Sequence, residues 1–323
     1  MEKRLLSGIK PTGDIHIGNY FGAMKQFLEY QEKYESFIFV ADYHALNQEK
    51  NPKKIQKNTL EIIKAYLAIG LNPKKVYLFK QSDVPQVTEL CWILNCITPI
   101  GILQRAHAYK DAIAKGLPVN MGLFDYPILM AADILIYDSD IVPVGQDQKQ
   151  HIEIAQDVAE KFNKTFGKTF KIPKGLIKKD VATIKGLDGR KMSKSYNNVI
   201  GLFDSEKEIK EKVMKIVTDS KKANEPKDPQ KCNIFYFHKL FTPQKELKEI
   251  EKRYKEGKIS YKESKEILAQ NINKFLKPIR EKKRELDKNE KYVKEILKKG
   301  AKIACEVAQK KINEVKKKIG VNF

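Results

Sequence analysis

Over its first two thirds the chain alternates short apolar runs with stretches in which apolar residues recur every three or four positions. The runs LLSGI (5–9), FIFVADY (37–43), VYLFKQ (76–81), DIVPVG (140–145) and VATIKG (181–186) have the length and the β-branched or aromatic content of strands. Between them, LEIIKAYLAIG sets Leu60, Ile63, Ala65 and Leu67 at the spacing of a packed helix that stops at Gly70. Strands that alternate with helices pair in parallel, because each return carries a helix back across a face of the sheet. The expected fold is therefore α/β, a Rossmann-like parallel five-stranded sheet with helices on both faces. The interval from Asp83 to Tyr137 is longer and mostly helical in period, which marks a helical insertion at about 83–137.

From Ser205 the period becomes helical throughout. EIKEKVMKIV, KELKEIEKRYKEG and the run from Ser260 to Asn289 carry apolar residues three and four apart, with Lys and Glu between them. Ser260 and Asn289 suit N-caps, and Pro243 and Gly257 punctuate the run. The change of period divides the chain into a Rossmann-like unit, 1–203, and an all-helical unit, 204–323. A length of 323 residues, large for one domain, agrees with two units.

Charge follows the same division. The formal net charge is +21, and the residues from Ser205 onward hold +15 of it. A polyanion such as nucleic acid fits that excess. A plain bias toward lysine, 56 Lys against six Arg, fits it as well. No run of about eighteen apolar residues occurs, and the opening MEKRLLSGIKPTG lacks a signal-peptide stretch, so a cytoplasmic protein without membrane contact is expected. Cys91, Cys96, Cys232 and Cys305 form no CxxC pair and are expected to be buried free thiols rather than zinc ligands.

Candidate chemistry begins where the first strand ends. SGIKPTGDIHIGNYFGAMKQF has glycines at 8, 13, 18 and 22, and a glycine-rich strand exit that opens a helix lets backbone N–H groups approach a phosphate. His16 and Asn19 add donors there. The spacing is neither GxGxxG nor the P-loop pattern. The other strand ends carry Asp42 and His44, Gln81 and Ser82, Gly145 to Gln148, and Arg190 to Ser195. Ligands of open parallel sheets bind beyond the carboxyl ends of the strands, so five separated polar segments are expected on one edge. The last lies in GLDGRKMSKSYNN (186–198), where Gly186 and Gly189 are read as permitting loop movement around a cation cluster. Arg190 has a plain solvated reading.

HIGN at 16–19 resembles the HIGH signature of the class I aminoacyl-tRNA synthetases, and KMSKS at 191–195 matches their second signature in full. With GIKPTGDIHIGNY, YPILMAADIL (126–135) and VPVGQDQKQHIE (142–153) in this order, the chain resembles the bacterial tryptophan-specific members of that family. The likeness runs from Leu6 to about Phe203, and more weakly through TDS (218–220) and CNIFYFHKLF (232–241).

The resemblance implies activation of L-tryptophan by ATP, departure of pyrophosphate with Mg²⁺, and transfer of the aminoacyl group to the terminal adenosine of tryptophan tRNA, with 1–203 as the catalytic domain and 204–323 as a basic helical tRNA- and anticodon-binding domain. It implies a homodimer, and it gives the protein no metal site of its own, since Mg²⁺ is held through the ATP phosphates. His16, Asn19, Lys191 and Lys194 would carry the catalysis. Lys10, Pro11, Thr12, Gly18, Asn19, Gly145, Gln146, Asp147 and Ile184 would contact ATP, with Lys191, Met192, Ser193, Lys194 and Ser195 of the second signature. Gly145 and Asp147 would meet the ribose, and Ile184 the adenine. Leu6, His44, Tyr126, Met130, Asp133 and Gln148 would form the tryptophan site. In it, Asp133 accepts the indole N–H, apolar Met130 stands where tyrosine enzymes usually have glutamine, and Tyr126 and Gln148 take the ammonium group.

Some positions depart from the family pattern. Lys10 replaces a common glutamine, and a lysine often found two residues beyond Lys110 is Ala112, leaving Lys110 or Lys115 to serve. A tyrosine–tRNA ligase is the nearest alternative, and a small-molecule nucleotidyltransferase a more distant one. An RNA-binding protein on a vestigial synthetase fold would have damaged signatures, whereas these read as intact.

Overall fold

The structure is a computed structural model that describes residues 3–11, 13–145, 148–176 and 184–322. Contacts divide the chain into two compact units, Met1–Gly13 with Gln26–Asp180 and Asn289–Phe323, and Asp14–Lys25 with Val181–Lys288.

In the first unit β1 (Arg4–Ile9), β2 (Glu35–Val40), β3 (Val76–Lys80), β4 (Ile141–Pro143) and β5 (Lys174–Leu176) form one parallel sheet in the order β3-β2-β1-β4-β5. Its register sets Leu6 beside Phe37 and Phe37 beside Tyr77. Leu5, Phe37, Ile38 and Val40 are fully buried, as expected of inner strands covered on both faces. Four of the five expected strands appear, with ends shifted by a few residues. The fifth differs. Residues 181–183 lie outside the described residues, and Ile184–Gly186 belongs to a hairpin, while the fifth strand is β5. This edge strand is short and mostly exposed, so KGL has no apolar run by which to be recognised.

In chain order the helices begin with α1 (Ile17–Asn19), which continues through a π-helical turn (Tyr20–Met24) into α2 (Lys25–Tyr30). There follow α3 (Asp42–Ala45) and α4 (Pro52–Ala68). Asn51 caps α4 by accepting from the Lys53 and Lys54 N–H groups, and Pro52 occupies the first turn, where no donor is lost. The interval between β3 and β4 holds α5 (Gln86–Asn95), α6 (Ile100–Gln104), α7 (His107–Ala114) and α8 (Met121–Leu135), the helical insertion expected there. Next come α9 (Lys149–Phe166), α10 (Glu206–Met214), α11 (Asn233–Phe241), α12 (Gln244–Lys255), α13 (Tyr261–Lys288) and α14 (Glu290–Lys318). Ser260 and Asn289 both act as caps, accepting from Glu263 N and Tyr292 N.

The compact units differ from a single boundary at 203/204, and α14 shows why. Its polar face is as basic as its neighbours, but its apolar face, Ala304, Ala308, Ile312 and Val315, is fully buried in the core of the first unit. At Gly300 the helix lies directly on β3, since a Cβ there would fall 2.0 Å from the Leu78 carbonyl oxygen. Lys311 is buried and bound, reaching Asp138 Oδ2 at 2.9 Å, Glu314 Oε2 at 2.7 Å and the Thr169 carbonyl at 2.9 Å.

The second unit contains α10 to α13. Its buried polar residue His238 bonds Thr242 Oγ1 at 2.7 Å and Ser264 Oγ at 3.1 Å, and Tyr254 shares Ser264 Oγ at 2.7 Å. The thiols only partly follow expectation. Cys91 is buried, Cys232 and Cys305 are partly so, Cys96 is exposed, and all four are free.

Candidate functional site

A buried polar cluster stands at the carboxyl end of the sheet in the first unit. Asp133 on α8 is 3% exposed, and both its oxygens accept from Gln81 Nε2 at 2.9 Å. Its Oδ2 also lies 2.9 Å from His44 Nε2. Gln81 follows β3, and its Oε1 accepts from the N–H groups of Tyr43 and His44 at 3.1 and 3.3 Å. One amide therefore fixes both the carboxylate and the short helix α3 that carries its histidine. Burial pushes the Asp133 carboxyl above the usual range, and the His44 hydrogen bond pulls against it. A buried acceptor held this way rejects a ligand that cannot donate to it, because an unanswered lone pair there is costly.

Met130 and Tyr126 share the Asp133 face of α8 by their spacing of three and four residues. The Tyr126 ring lies 6.4 Å from the His44 ring, and its hydroxyl bonds His151 Nε2 on α9. Lys10, just beyond β1, sets its ammonium 5.8 Å from the Tyr126 ring centre. Burial pushes the Tyr126 hydroxyl up to about 12, so it stays protonated and able to donate at neutral pH. Leu6 is buried in the sheet core close by in sequence to Lys10. Gln148 is half-buried at the start of α9, its N–H donating to the Gly145 carbonyl at 3.0 Å. Pro11 is buried and accepts from Asn58 Nδ2 at 3.1 Å. Thr12, Gln146 and Asp147 lie outside the described residues. Of the two alternative lysines, Lys110 lies on α7 and Lys115, just past its end, pairs with Asp111 at 2.6 Å.

The second unit brings the two signatures together. His16 forms an antiparallel bridge with Gly201, and Ile17 N donates to the Ile200 carbonyl at 3.0 Å. His16 N donates to Asn19 Oδ1 at 3.0 Å, so Asn19 closes the first turn of α1. A Cβ at Gly18 would lie 2.8 Å from His16 Nδ1 and 3.3 Å from Met192 Sδ, which puts KMSKS against HIGN. Burial, and then the charge of Lys194, pushes the His16 imidazole down to about 4. At neutral pH His16 is therefore an uncharged hydrogen-bonding group. Partial burial lowers Lys194, with Asp14 acting in the opposite sense.

KMSKS forms the outgoing arm of a hairpin. Lys185 bridges Lys191, Gly186 N donates to the Arg190 carbonyl at 2.7 Å, and Met192 N donates to the Ile184 carbonyl at 2.8 Å. Ile184 is thus half-buried hairpin backbone rather than the last strand of the sheet. Met192 is 5% exposed, while Lys191, Lys194 and Ser195 are exposed, and Ser193 and Ser195 bond each other at 2.8 Å. The two glycines have distinct causes. Gly189 takes φ +82° at the turn, whereas Gly186 leaves room for the Asn198 side chain. Arg190 bonds Asp188 and lies 4.5 Å over the Tyr196 ring, in keeping with its plain reading.

Of the five polar strand ends expected on one edge, Asp42, His44, Gln81 and Ser82 meet in the first unit, with Ser82 N donating to Asp42 Oδ1 at 3.0 Å. The segment Arg190 to Ser195 belongs to the second unit. Gln81 ends an apolar run and His151 lies within VPVGQDQKQHIE, but neither position by itself marks a partner of Asp133 or of Tyr126. The available signal was a polar residue closing an otherwise apolar strand.

An open parallel sheet with a HIGN turn and an intact KMSKS hairpin defines a class of nucleotide-using enzymes, and the family model described as tRNA synthetases class I (W and Y) matches residues 2–277. The chain belongs to that family. Within it, the chain stands with bacterial proteins named tryptophan–tRNA ligase, among them that of Fusobacterium nucleatum, 50% identical over 320 residues that cover 99% of this chain and 98% of the relative. The crystal structure of tryptophanyl-tRNA synthetase from Campylobacter jejuni complexed with ADP and tryptophan is 47% identical. It superposes with a TM-score of 0.93 and covers 98% of this chain and 99% of that one. A tyrosyl-tRNA synthetase from Archaeoglobus fulgidus, 20% identical with a TM-score of 0.66, covers 87% of this chain and 90% of that one and shares the fold alone.

Proposed function

We propose that the protein is a tryptophan–tRNA ligase that joins L-tryptophan to its tRNA at the expense of ATP. The observation that carries this reading is the buried Asp133 carboxylate, held by Gln81 and His44 on the same helical face as apolar Met130. A carboxylate acceptor beside a thioether suits an indole, with its large apolar body and single N–H, better than a phenol.

The tryptophan carboxylate oxygen attacks the α-phosphorus of ATP, the bond to the β-phosphate bridging oxygen breaks, and pyrophosphate departs. A hydroxyl of the terminal adenosine of tRNA then attacks the activated carbonyl, and AMP leaves. Neither step needs a side-chain nucleophile, so catalysis rests on orientation and on charge placed for the transition state. In this reading Lys191 and Lys194 take the negative charge of the leaving pyrophosphate, while uncharged His16, Gly18 and Asn19 hold phosphate oxygens through neutral donors. Met192, Ser193 and Ser195 shape that loop. Lys10, Pro11, Thr12, Gly145, Gln146, Asp147 and Ile184 line the nucleotide, and Leu6, His44, Tyr126 and Gln148 complete the tryptophan site. ATP enters as its Mg²⁺ complex, the metal held by phosphate oxygens. Among the described residues no three His, Cys, Asp or Glu side chains gather as a metal site.

Two further parts of the reading concern partners. The exposed apolar residues Trp92, Ile100, Ile113, Leu117 and Met121, on the stretch from α5 to the start of α8, support a homodimer, since such side chains cluster on interaction surfaces. The +15 excess from Ser205 onward supports a tRNA phosphate contact. A cytoplasmic site of action accords with both, and among the described residues no helix is long and apolar enough to cross a membrane.

Exchange of labelled pyrophosphate into ATP, measured with each of the twenty amino acids, tests the assignment. Tryptophan alone should support rapid exchange. Exchange with tyrosine instead would replace it by the tyrosine enzyme, and silence with all twenty would leave a nucleotidyltransferase or an RNA-binding protein.

A further inference from the structure

Asn198 lies three residues past KMSKS and is 2% exposed. Its side-chain amide makes three hydrogen bonds inside the hairpin. Oδ1 accepts from Ser193 N at 2.8 Å, and Nδ2 donates to the Lys191 carbonyl at 3.0 Å and to Asp188 Oδ1 at 2.7 Å. Its own carbonyl accepts from Leu187 N at 3.0 Å. The amide therefore grips the main chain on both sides of Met192, at one end through a carbonyl and at the other through an N–H. No other neutral side chain of that size offers an acceptor and two donors in one plane. The seat is specific, since a Cβ at Gly186 would lie 2.2 Å from Asn198 Nδ2. The incoming arm is held in turn by α11, where Asn233 Nδ2 donates to the carbonyls of Gly186 and Leu187 at 3.2 Å each.

Lys191 and Lys194 are exposed, and long flexible side chains confer little orientation by themselves. What can be preorganised is the backbone from which they start. We propose that Asn198 is a positioning residue of the adenylation step, its buried amide fixing the main chain that presents Lys191 and Lys194 to the departing pyrophosphate. This rests on the reading that those lysines take the pyrophosphate charge. The tryptophan cluster of Asp133, His44 and Gln81 shares no residue with the hairpin, so removal of the amide lowers the rate and leaves tryptophan affinity alone.

The test is single-turnover adenylate formation with Asn198→Ala, Asn198→Asp, Lys194→Ala and the double variant Asn198→Ala/Lys194→Ala, beside equilibrium binding of tryptophan and thermal melting. Misplacing a reacting group by about 1 Å lowers a rate by up to about 100-fold, and Asn198→Ala should fall about 10- to 100-fold with tryptophan binding unchanged. Asn198→Asp keeps the acceptor for Ser193 but sets a carboxylate against Asp188. Its rate relative to the parent should recover as pH falls from about 8 to about 6, when protonation restores a donor. Asn198→Ala should show no such recovery. In the Lys194→Ala background the loss of Asn198 should cost less than it does in the parent, because one of the two cations it positions is gone. A parental rate in Asn198→Ala, equal losses of rate and tryptophan affinity, or additive losses in the double variant would overturn the proposal. If Lys194→Ala itself reacts at the parental rate, the reading beneath it falls as well; if only Asn198→Ala does so, that reading stands.

Discussion

Replacing Asp133 by Asn keeps the shape of the side chain and removes its charge and one acceptor. In the parent, Oδ2 receives both His44 and Gln81, whereas Oδ1 receives Gln81 alone among the described residues, which leaves a lone pair for an indole N–H. A hydrogen bond to a charged group is worth about 1.5–3 kcal/mol, and its loss corresponds to roughly 10- to 150-fold weaker tryptophan binding. ATP affinity should change by less than about two-fold, since none of the cluster belongs to the nucleotide set. Stability separates this effect from unfolding. Burial raises the Asp133 carboxyl above its ordinary value, so the folded state favours the neutral form, and the ionised form costs stability at pH above the unfolded pKa. Neutral Asn removes that cost while losing hydrogen bonds, and the melting temperature should hold or rise. The assay is pyrophosphate exchange with tryptophan and ATP varied in turn, with phenylalanine as competitor. Equal rises in KM for both substrates, or undiminished discrimination against phenylalanine, would refute the role given to Asp133.

Three further outcomes are expected. Gly300→Ala should lower the unfolding free energy by about 1–3 kcal/mol or more in urea titration, because the new methyl meets β3 backbone rather than a side chain that can swing away. His238, fully buried, is pushed down to about 4 by desolvation, so the unfolded chain binds a proton that the folded one refuses. Stability should fall between about pH 6.5 and pH 4, by up to about 3 kcal/mol at the lower end, and His238→Gln should flatten that part of the curve. Aminoacylation should decline steeply as salt rises if phosphate contacts by the basic helices dominate tRNA binding, and a flat response would reduce the lysine excess to composition.

Legibility differed from residue to residue. The inner strands could be read because a strand covered on both faces must be apolar along its length. KGL, the edge strand, faces water and has no such pattern. The signatures could be read because each is a short run of consecutive residues. Asn198 and Gln81 could not be assigned from their positions alone, since an amide becomes meaningful only when its partners are known. The same holds for α14. Its Lys and Glu residues repeat those of the preceding helices, and its small apolar positions, Gly300, Ala304 and Ala308, reveal their purpose only where the helix meets β3.

The amino-acid sequence by itself determined the α/β class, the helical insertion and the two signatures, because each is encoded in local period or in short contiguous motifs. Tertiary structure alone decided that Gln81 completes the Asp133 cluster, that His16 stays uncharged, that Asn198 ties the KMSKS hairpin, and that the last helix rejoins the sheet. Those outcomes depend on burial and on hydrogen bonds between residues far apart in the chain, and neither is written in the order of the residues until the chain has folded.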